Sequence, residues 1–515
     1  MTTPASPVDL SFSPPRLFIS YSRADGRAFA EDFEKRLKEH DLNSWRDLKN
    51  VEGGEDIRPQ VLRAIEKAEH LVLILTPRAL ASDWVKREWT HARECGVKVS
   101  PVLADRSIQR ADLPHWARRA DICDTAEPER WNKLVQVLQG PGKTRRVPYM
   151  AGPANANYVH RSQEYNRLKK LVLSQSEGTV ALTTALQGAG GYGKTTLANA
   201  LCRDSDVRFE FSDGVIRVEV GKERPSVLPL IKDVLAMLDP ELARVGFEDE
   251  KIAGERLAQV LGEARLLLVL DDVWYESQLR PFLLGGPNCV RLVTTRVPRV
   301  LPAGSATVDV DEMLDNDSLA LLSWGLPDAD SKNPEIRRRL SGLAKRLKHW
   351  AQLLEMANGW LRERMRRGES LIQAIEGFDA RLTNKALTAF DPKNEKQRNR
   401  AVGICIEASL EDLEPEERTR FATLAILPED EDVPLTVLAA LWAETEGLDR
   451  YDSEDFLVRL ASLSLLQRLE LGQGTVRLHD NILWYLRGNL SPDALQAAHG
   501  AMVAALTKPC AGDWT

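Results

Sequence analysis

The stretch that most constrains this chain lies near its middle. Residues 188–196 read GAGGYGKTT and fit G-x-x-x-x-G-K-[ST] at every position. The apolar run from Val180 to Leu186 precedes this pattern and a helical run from Lys194 follows it, which is the strand, loop and helix context of a phosphate-binding loop. Backbone N–H groups in such a loop converge on an anion, and the helix N-terminus adds partial positive charge. The context disfavours the alternative, a glycine-rich turn that matches by chance.

The loop supplies most of the expected phosphate contacts. Lys194 would reach the outer phosphates, and the Thr195 hydroxyl would ligate Mg²⁺. The sequence therefore predicts a phosphate and magnesium site at this point of the chain. The loop residues expected to contact the ligand are Gly188, Gly190, Gly191, Gly193, Lys194, Thr195 and Thr196.

Two later apolar runs end in residues that suit the same site. The run LLLVL at 266–270 predicts a buried strand that ends in two acids. Asp271 is placed to hold Mg²⁺ through water, and Asp272 to polarise an attacking water. The run LVTT at 292–295 predicts another buried strand, after which Arg296 would lie near the γ-phosphate.

Length and composition restrict the remaining function classes. At 515 residues the chain is expected to hold roughly three to four domains. Its net charge of −7 gives no overall drive toward nucleic acid or an anionic membrane. The apolar runs are far shorter than the ~20 residues that cross a bilayer, and residues 1–15 lack the basic start and apolar core of a signal peptide. We therefore expect a soluble, cytoplasmic protein without a membrane partner.

The six cysteines are scattered along the chain. They show neither C-x-x-C spacing nor a nearby histidine cluster, which are the patterns of structural metal sites. We expect reduced thiols, with neither metal nor disulfide, at Cys95, Cys123, Cys202, Cys289, Cys405 and Cys510.

The first part of the chain alternates short apolar runs with amphipathic helical patterns. Runs at 17–19, 71–75 and 97–103 predict strands. Strands that alternate with helices indicate a parallel sheet with helices on both faces. Ligands bind at the carboxyl ends of such strands, so chemistry is expected in the loops after Ile19 and Leu75.

Four motifs stand out in this part of the chain: LFISYSR at 17–23, WRD at 45–47, GGEDI at 53–57 and SDWVKREW at 82–89. Together they resemble a TIR (Toll/interleukin-1 receptor) domain over about residues 16–140. The W-V-x-x-E segment is similar to that of TIR domains which cleave NAD⁺ rather than scaffold signalling complexes. The resemblance implies NAD⁺ as substrate and Glu88 as the catalytic residue. It also implies NAD⁺ contacts from Phe18, Ser20, Asp47, Gly53, Gly54 and Trp84.

The residues around Glu88 suit that chemistry. Ser82 or Asp83 can cap a helix on which Trp84 and Glu88, four residues apart, share a face. Cleaving the nicotinamide–ribose bond builds positive charge on the ribose, and a fixed carboxylate that faces this charge lowers the barrier. The alternative for Glu88 is a solvated residue that pairs with basic neighbours on its helix. For Trp84 and Phe18 the alternative is core packing.

The phosphate-binding loop belongs to a second family pattern. The segment Tyr158-Val159-His160-Arg161 resembles the opening segment of NB-ARC nucleotide-binding domains, which borders the adenine. With the runs at 266–274 and 292–296 following a complete loop, the chain resembles the NB-ARC class of STAND ATPases over about residues 155–490. The resemblance implies ADP or ATP with Mg²⁺ as ligand, and nucleotide contacts from Val159 and Arg161.

Two further segments bear on a nucleotide switch. LHD at 478–480 resembles the Met-His-Asp motif that holds ADP in the closed state of this family, which implies a nucleotide contact from His479. The alternative is that His479 caps a strand end. Residues 343–354 depart from the family pattern, because Trp350 and Gln352 stand where Gly-Leu-Pro-Leu would place its glycine and its proline. The departure concerns the adenine side of the site and leaves the phosphate side unchanged.

The predicted fold class is α/β: a flavodoxin-like TIR domain followed by a P-loop α/β NTPase domain, a helical domain and a winged-helix domain. The acidic segment 411–432 argues against DNA binding by the winged helix, so no nucleic acid partner is expected. Relatives with this layout usually carry a repeat sensor, so the chain is expected to be truncated or to lack its own sensor. The expected boundaries are a disordered lead at 1–15, the TIR domain at 16–139, a linker at 140–157, the nucleotide-binding domain at 158–312, the helical domain at 313–398, the winged-helix domain at 399–490 and the start of a truncated region at 491–515.

The two resemblances imply an enzyme under nucleotide control. We expect a TIR-type NAD⁺ nucleosidase that an ADP-bound switch holds in check. Once ATP replaces ADP, it is expected to assemble into a homo-oligomer through its TIR and NB-ARC domains, in innate immune or antiviral defence. Water or an adenine nitrogen can capture the ribosyl cation, so linear and cyclic ADP-ribose both remain open as products. The alternative is a non-enzymatic TIR scaffold that recruits other TIR proteins.

Overall fold

The computed structural model describes most of the chain between residues 16 and 507. Along the described stretches no helix combines the length and the apolar composition needed to cross a membrane. Asp47, Gly53, Gly54 and Gly188, which the sequence places in binding sites, lie outside the described residues. The described residues are 16–46, 57–152, 155, 157–174, 178–183, 190–222, 224, 226–244, 246, 248–327, 333–385, 390–391, 394–429 and 431–507.

The first α/β unit is a parallel sheet with helices packed on its faces. Its elements are β1 Leu17–Ser20, α1 Arg27–Lys38, β2 Ser44–Trp45, α2 Ile57–Lys67, β3 His70–Leu75, α3 Pro77–Ala81, α4 Asp83–Glu94, β4 Lys98–Leu103, a 3₁₀ turn Arg110–Asp112, α5 His115–Arg118, β5 Cys123–Asp124 and α6 Pro128–Gln139. The strands pair in the order β2-β1-β3-β4-β5, the flavodoxin-like order of doubly wound sheets. Every residue of β3 is buried, which explains its unbroken apolar run. The predicted flavodoxin-like sheet is confirmed.

The second α/β unit is also a parallel sheet. Its elements are α7 Ser162–Ser174, β6 Gly178–Thr183, α8 Lys194–Cys202, α9 Ser205–Glu210, β7 Gly214–Glu219, α10 Leu228–Leu238, α11 Pro240–Ala243, α12 Glu250–Leu261, β8 Leu266–Val273, α13 Glu276–Leu279, 3₁₀ turns Arg280–Leu283 and Pro298–Val300, β9 Val290–Thr295 and β10 Ala306–Asp309. The strands pair in the order β10-β6-β9-β8-β7. The carboxyl ends of β8 and β9 therefore lie side by side, and α8 begins beside them. This arrangement brings the acids after residue 270 to the predicted phosphate site.

The remaining chain is mainly helical. Its elements are α14 Asp315–Leu322, α15 Pro334–Arg346, α16 Ala351–Arg366, α17 Leu371–Asn384, α18 Glu395–Leu410, α19 Pro415–Thr423, a 3₁₀ turn Leu424–Ile426, β11 Val433–Pro434, α20 Leu435–Glu446, α21 Arg450–Ser462, β12 Arg468–Glu470, β13 Thr475–Arg477, α22 Asp480–Asn489 and α23 Pro492–Thr507. Trp350, Trp360 and Trp442 are fully buried in one continuous apolar core. The strands form a small antiparallel sheet, β11-β13-β12. An ion pair between Arg477 and Glu219 fastens this sheet to the end of β7.

The predicted linker at 140–157 is held by backbone hydrogen bonds over much of its described length. The Val147 N–H donates to the Arg93 carbonyl at 3.0 Å, at the end of α4. The Val215 N–H donates to the Pro148 carbonyl at 2.8 Å, and the Met150 N–H donates to the Val215 carbonyl at 2.7 Å. Residues 143–150, which we call the strap, thus connect the first sheet to the edge strand of the second. The composition of this segment predicted a linker but not these contacts.

The two α/β units also contact each other directly through α4 and α9. The ring of Trp89 meets the edge of Phe209 at 5.5 Å between ring centroids, and the Lys86 ammonium lies 4.7 Å above the Phe209 ring. Asp213, one residue before β7, receives charge-assisted contacts from the first unit. Its carboxylate accepts from Arg119 at 2.9 Å, and it lies 3.3 Å from both Arg93 and His115. The same carboxylate accepts the Arg265 N–H at 2.9 Å and so is tied to the start of β8.

We expect Asp213→Asn to loosen the docking of the first unit on the second. The amide keeps an oxygen for the Arg265 N–H but loses the charge that attracts the basic residues named above. A loss of about 1–2 kcal/mol of docking free energy corresponds to roughly 5–30-fold faster amide hydrogen exchange at the contact. Mass-spectrometric hydrogen exchange over residues 115–119 and 205–212 measures it. Exposed Asp455→Asn is the control, and identical exchange in the two variants would contradict the docking role.

Candidate functional site

The first candidate site centres on Glu88, which lies on α4. Ser82 caps this helix by accepting the Val85 N–H at 3.3 Å, as the sequence predicts. The Glu88 side chain turns into the domain, since the residue is only 3% exposed. Ser20, the last residue of β1, donates its hydroxyl to Glu88 Oε2 at 2.5 Å. The alternative of a solvated helix residue is therefore wrong, because this carboxylate is buried against the carboxyl end of β1.

The aromatic residues predicted to stack on NAD⁺ differ in exposure. Trp84 is partly buried and packs at the edge of the apolar cluster. Phe18 is fully buried, and its ring stacks on Trp45 with centroids 5.0 Å apart. Phe18 thus has the core packing that the sequence left as the alternative, and its ring faces no open surface. Trp84 is the ring that remains available beside Glu88.

Asp25 also lies at this edge of the sheet, and the sequence analysis did not single it out as a site residue. Its carboxylate accepts the Thr76 hydroxyl at 2.7 Å and the Arg78 N–H at 2.9 Å. Thr76 in turn accepts the Ala79 N–H at 3.1 Å and so caps α3. The loops after β1 and β3, where chemistry was expected, are therefore fastened to each other by Asp25.

The second candidate site is the phosphate-binding loop. Gly191 and Gly193 have φ angles of +76° and +93°, conformations that side chains other than glycine rarely adopt. Gly193 immediately precedes α8, and Thr196 lies in the first turn of that helix. Lys194 is 7% exposed, and burial lowers the pKa of its ammonium to about 8, with the nearby positive charge of Arg296 acting in the same direction. The lysine is therefore a buried cation at the N-terminus of a helix, which suits phosphate binding.

The Thr195 hydroxyl and the Asp271 carboxylate lie side by side. Thr195 donates to Asp271 Oδ1 at 2.9 Å, and Asp271 is only 2% exposed. Thr294 donates to the same oxygen at 2.5 Å, and Arg217 donates to Oδ2 at 2.5 Å. A hydroxyl and a carboxylate at this spacing are oxygen donors of the kind Mg²⁺ prefers. Arg217 and Thr294, which the sequence analysis did not single out, orient the carboxylate.

Asp272 follows at an irregularity in the sheet. The register between β8 and β9 shifts between Leu270 and Val273, and Asp272 has a φ angle of +55°. The bulge turns its side chain so that Trp274 Nε1 donates to Oδ2 at 2.7 Å and Arg296 lies 3.5 Å from Oδ1. Burial raises the pKa of the Asp272 carboxyl, against the opposite effect of Arg296. Both oxygens of the residue predicted to polarise water are thus engaged by other side chains.

Arg296 also reaches the C-terminal helical region. Its guanidinium donates to Asp480 Oδ2 at 2.5 Å, and both side chains are largely buried. The same guanidinium lies so close to Gly190 that a side chain at that position would collide with it. The predicted γ-phosphate residue is therefore paired with an acid from α22, immediately beside the phosphate-binding loop.

The residues that depart from the family pattern contact the loop backbone. Trp350 Nε1 donates to the Gly190 carbonyl at 3.0 Å, and its ring stacks on Tyr192 with centroids 5.4 Å apart. The Gln352 N–H donates to the Gly191 carbonyl at 3.1 Å. The Gln352 side chain accepts from Asn481 at 2.6 Å. Trp350 and Gln352 thus join α16 to the loop and to the start of α22.

His479 caps α22 rather than a strand end. Its Nδ1 accepts the Asn481 N–H at 3.4 Å, and burial lowers the pKa of the imidazole to about 4. The ring is therefore neutral near pH 7. A neutral ring that accepts at Nδ1 carries its proton on Nε2, which makes this nitrogen a donor.

The segment predicted to border the adenine is anchored by Arg161. Its guanidinium donates to the Tyr192 carbonyl at 2.9 Å and to the Asp311 carbonyl at 3.1 Å, and it pairs with Glu164. Arg161 therefore ties the phosphate-binding loop to the chain that follows β10. Val159 is partly buried against the core of the C-terminal helical region.

Several known proteins are similar to this chain over part of their length. The regulatory protein AfsR of Streptomyces griseus is 29% identical over 408 residues, which cover 77% of this chain and 37% of AfsR. A probable disease resistance protein of Arabidopsis thaliana is 28% identical over 307 residues, which cover 58% of this chain and 34% of that protein. The chain spans about a third of the length of these relatives. A solved STAND protein with a tetratricopeptide repeat sensor, from Pyrococcus horikoshii, is 14% identical with a TM-score of 0.43, covering 70% of this chain and 46% of that chain.

Two family models match the chain itself. A TIR domain model matches residues 17–135, which contain Ser20 and Glu88. An NB-ARC domain model matches residues 161–325, which contain the phosphate-binding loop and the acidic end of β8. The match boundaries agree with the two parallel sheets. The chain therefore contains a TIR domain followed by an NB-ARC domain.

Proposed function

We propose that this protein is a TIR-type NAD⁺ nucleosidase whose activity is controlled by an ADP/ATP switch in its NB-ARC domain. The observation that carries the proposal is the buried Glu88 carboxylate. It lies at the carboxyl end of β1, where a doubly wound sheet binds its ligand, and Ser20 holds one of its oxygens. A carboxylate has a high desolvation cost in such a position, which favours a functional reason for keeping it there.

Cleavage of the nicotinamide–ribose bond needs few protein groups besides the negative charge of Glu88. The bond between C1′ of the ribose and the nicotinamide nitrogen breaks, and its electron pair leaves with the nicotinamide, which departs as a neutral ring. The Glu88 carboxylate holds the ribose hydroxyls and faces the positive charge that develops on the sugar. Water then adds to C1′ and loses a proton, giving ADP-ribose. An adenine nitrogen that adds instead gives the cyclic product. Trp84 stacks on the dinucleotide, and Asp47, Gly53 and Gly54 complete the pocket in this proposal.

The NB-ARC residues provide the control. ADP or ATP with Mg²⁺ would be held by Lys194 at the phosphates and by the Thr195 and Asp271 oxygens at the metal. In the described arrangement the Arg296 guanidinium forms an ion pair with the Asp480 carboxylate. A γ-phosphate placed beside Gly190 competes for this guanidinium and weakens the link to α22, whereas the neutral His479 can donate from Nε2 to a terminal phosphate of ADP. We infer that ADP stabilises the closed arrangement and that ATP opens it.

The same arrangement explains how the switch would restrain the TIR domain. Helix α4 carries Glu88 and also packs on α9 of the NB-ARC domain through Trp89 and Phe209. A TIR domain docked in this way cannot pack against TIR domains of other copies through the same face. We propose that release of this face allows homo-oligomers to form through the TIR and NB-ARC domains. Similarity to proteins named for disease resistance supports a role in innate immune or antiviral defence.

We expect Glu88→Gln to abolish release of nicotinamide from NAD⁺. The amide keeps the shape and a hydrogen bond from Ser20 but lacks the negative charge that stabilises the ribosyl cation, so the loss is expected to be at least about 100-fold. Concentrated protein is incubated with NAD⁺ and free nicotinamide is quantified by chromatography.

Glu39→Gln serves as the control, because Glu39 is an exposed carboxylate at the end of α1 in the same domain. It is expected to retain wild-type turnover. Wild-type turnover in a folded Glu88→Gln protein would contradict the catalytic role. Absence of turnover in every variant and in the wild type, with assembly retained, would favour the TIR scaffold.

We expect Lys194→Ala to weaken nucleotide binding by about 10- to 100-fold, the equivalent of a charge-assisted hydrogen bond worth about 1.5–3 kcal/mol. Because the pKa of Lys194 is about 8, ADP affinity of the unmodified protein should fall between pH 7 and pH 9 as the ammonium deprotonates, and the variant should lose this dependence. Calorimetric titration with ADP measures both. Exposed Lys170→Ala on α7 is the control, and equal affinities in the Lys194 and Lys170 variants would contradict the assignment.

A further inference from the structure

A group of potential metal ligands lies on the TIR domain away from both sites described above. Glu66, near the end of α2, faces His91 on α4 and Cys95, the residue that follows this helix. His91 Nε2 lies 3.2 Å from Glu66 Oε1 and 3.7 Å from Cys95 Sγ. The three ligand atoms all lie within 4.8 Å of one another. From these contacts we propose that Glu66, His91 and Cys95 form a binding site for a zinc-class divalent ion.

The two distances measured from His91 Nε2 match those of a tetrahedral site. Zinc is bound at about 2.0–2.1 Å by histidine nitrogen, about 2.3 Å by cysteine sulfur and about 2.0–2.2 Å by carboxylate oxygen. Tetrahedral angles then place nitrogen and oxygen about 3.3 Å apart, and nitrogen and sulfur about 3.6 Å apart. The observed distances of 3.2 and 3.7 Å are close to these values. His91 is therefore spaced to share one ion with Glu66 and with Cys95.

The ligand types favour zinc over magnesium or calcium. Thiolate and imidazole are soft or borderline donors that select zinc and related transition ions, whereas magnesium and calcium take oxygen donors. His91 and Cys95 are four residues apart and so share a face of α4, and Glu66 completes the group from the adjacent helix. Protein ligands from two helices leave a fourth position for water, as in an open zinc site.

The surroundings of His91 also suit metal binding. The other ring nitrogen, Nδ1, faces Glu94 Oε2 at 3.9 Å. A carboxylate on the far nitrogen of a ligating histidine orients the ring and raises its basicity. His91 is thus flanked by a carboxylate on one side and by the proposed ion site on the other.

The site lies where the strap meets the TIR domain. The Lys143 ammonium donates to the Glu66 carbonyl at 3.1 Å, and the Thr144 N–H donates to the Gly96 carbonyl at 2.7 Å, next to Cys95. A bound ion would join the end of α2 to the end of α4, beside the segment that leads to the NB-ARC domain. Glu88 lies three residues before His91 on α4, with its side chain buried against Ser20, and Co²⁺ binding is measured without NAD⁺ turnover.

The competing explanation is an ion pair between a protonated His91 and Glu66, with Cys95 an unrelated thiol. Cobalt distinguishes the two, because Co²⁺ substitutes for zinc and a thiolate–cobalt bond produces a charge-transfer band in the near ultraviolet. The test uses the full-length, tag-free, reduced protein, treated with a chelator and titrated with Co²⁺ alone. We expect the band to saturate at one equivalent and to disappear when Zn²⁺ is added.

The variants assign the band to these residues. Cys95→Ser should lose it, and His91→Ala should lose saturation at one equivalent. Glu66→Gln, at an exposed position that is expected to leave the fold intact, should keep a weaker band that needs more Co²⁺ to saturate. Cys123→Ser, a buried cysteine elsewhere in the TIR domain, should retain the wild-type titration. A wild-type protein without the band, or a band that survives in Cys95→Ser, would overturn the proposal.

Discussion

The ion pair between Arg296 and Asp480 is the contact on which the proposed nucleotide switch depends. It joins the end of β9 to the start of α22 at 2.5 Å, and both side chains are largely buried. A charge pair that is removed from water is costly to break from one side alone, because the remaining charge is left without compensation. A phosphate group is a partner that can replace Asp480 at that guanidinium. The pair lies beside Gly190 of the phosphate-binding loop, and this position is the basis for proposing it as a nucleotide sensor.

The TIR domain is connected to this contact through the edge of the NB-ARC sheet. Asp213 precedes β7 and accepts from the TIR domain, and Glu219 at the other end of the same strand pairs with Arg477 from the C-terminal sheet. Strand β7 pairs with β8, and Glu219 lies opposite Asp271 in this pairing. The contacts of Asp213 with the TIR domain, the ion pair between Glu219 and Arg477, and the Asp271 carboxylate are therefore built on the adjacent strands β7 and β8. A structural change at one of these contacts can reach the others through two neighbouring strands.

Much of the fold could be predicted because a long apolar run indicates a strand that is buried on both faces. The runs that became β3 and β8 are continuous, as both faces of a parallel strand are covered. The two-residue strands Ser44–Trp45 and Cys123–Asp124 were not predicted, since two residues carry no periodicity. The spacing of Trp84 and Glu88 predicted a shared helical face, but not that Glu88 turns inward to Ser20.

Contacts between segments far apart in the chain were the main features that could not be predicted from the sequence. Nothing local to Trp350 or Gln352 indicates that they bind the backbone of the phosphate-binding loop, and a family pattern is uninformative where the chain departs from it. The contacts of Asp213 could not be predicted, because its partners in the TIR domain lie about a hundred residues earlier in the chain. The ligand group of Glu66, His91 and Cys95 was missed because the expected spacing was C-x-x-C. The sequence analysis therefore predicted no metal at Cys95, whereas the structure places three potential ligand atoms together.

The central claim is that the Arg296–Asp480 contact restrains NAD⁺ cleavage by the TIR domain. The most direct measurement is the rate of nicotinamide release by Asp480→Asn, which keeps the size of the side chain but removes its charge, at the same protein concentration as the wild type. The account predicts a higher rate per molecule in Asp480→Asn and no release when Glu88→Gln is added to it. An unchanged rate of nicotinamide release, in a variant that exchanges bound nucleotide faster than the wild type, would contradict the account.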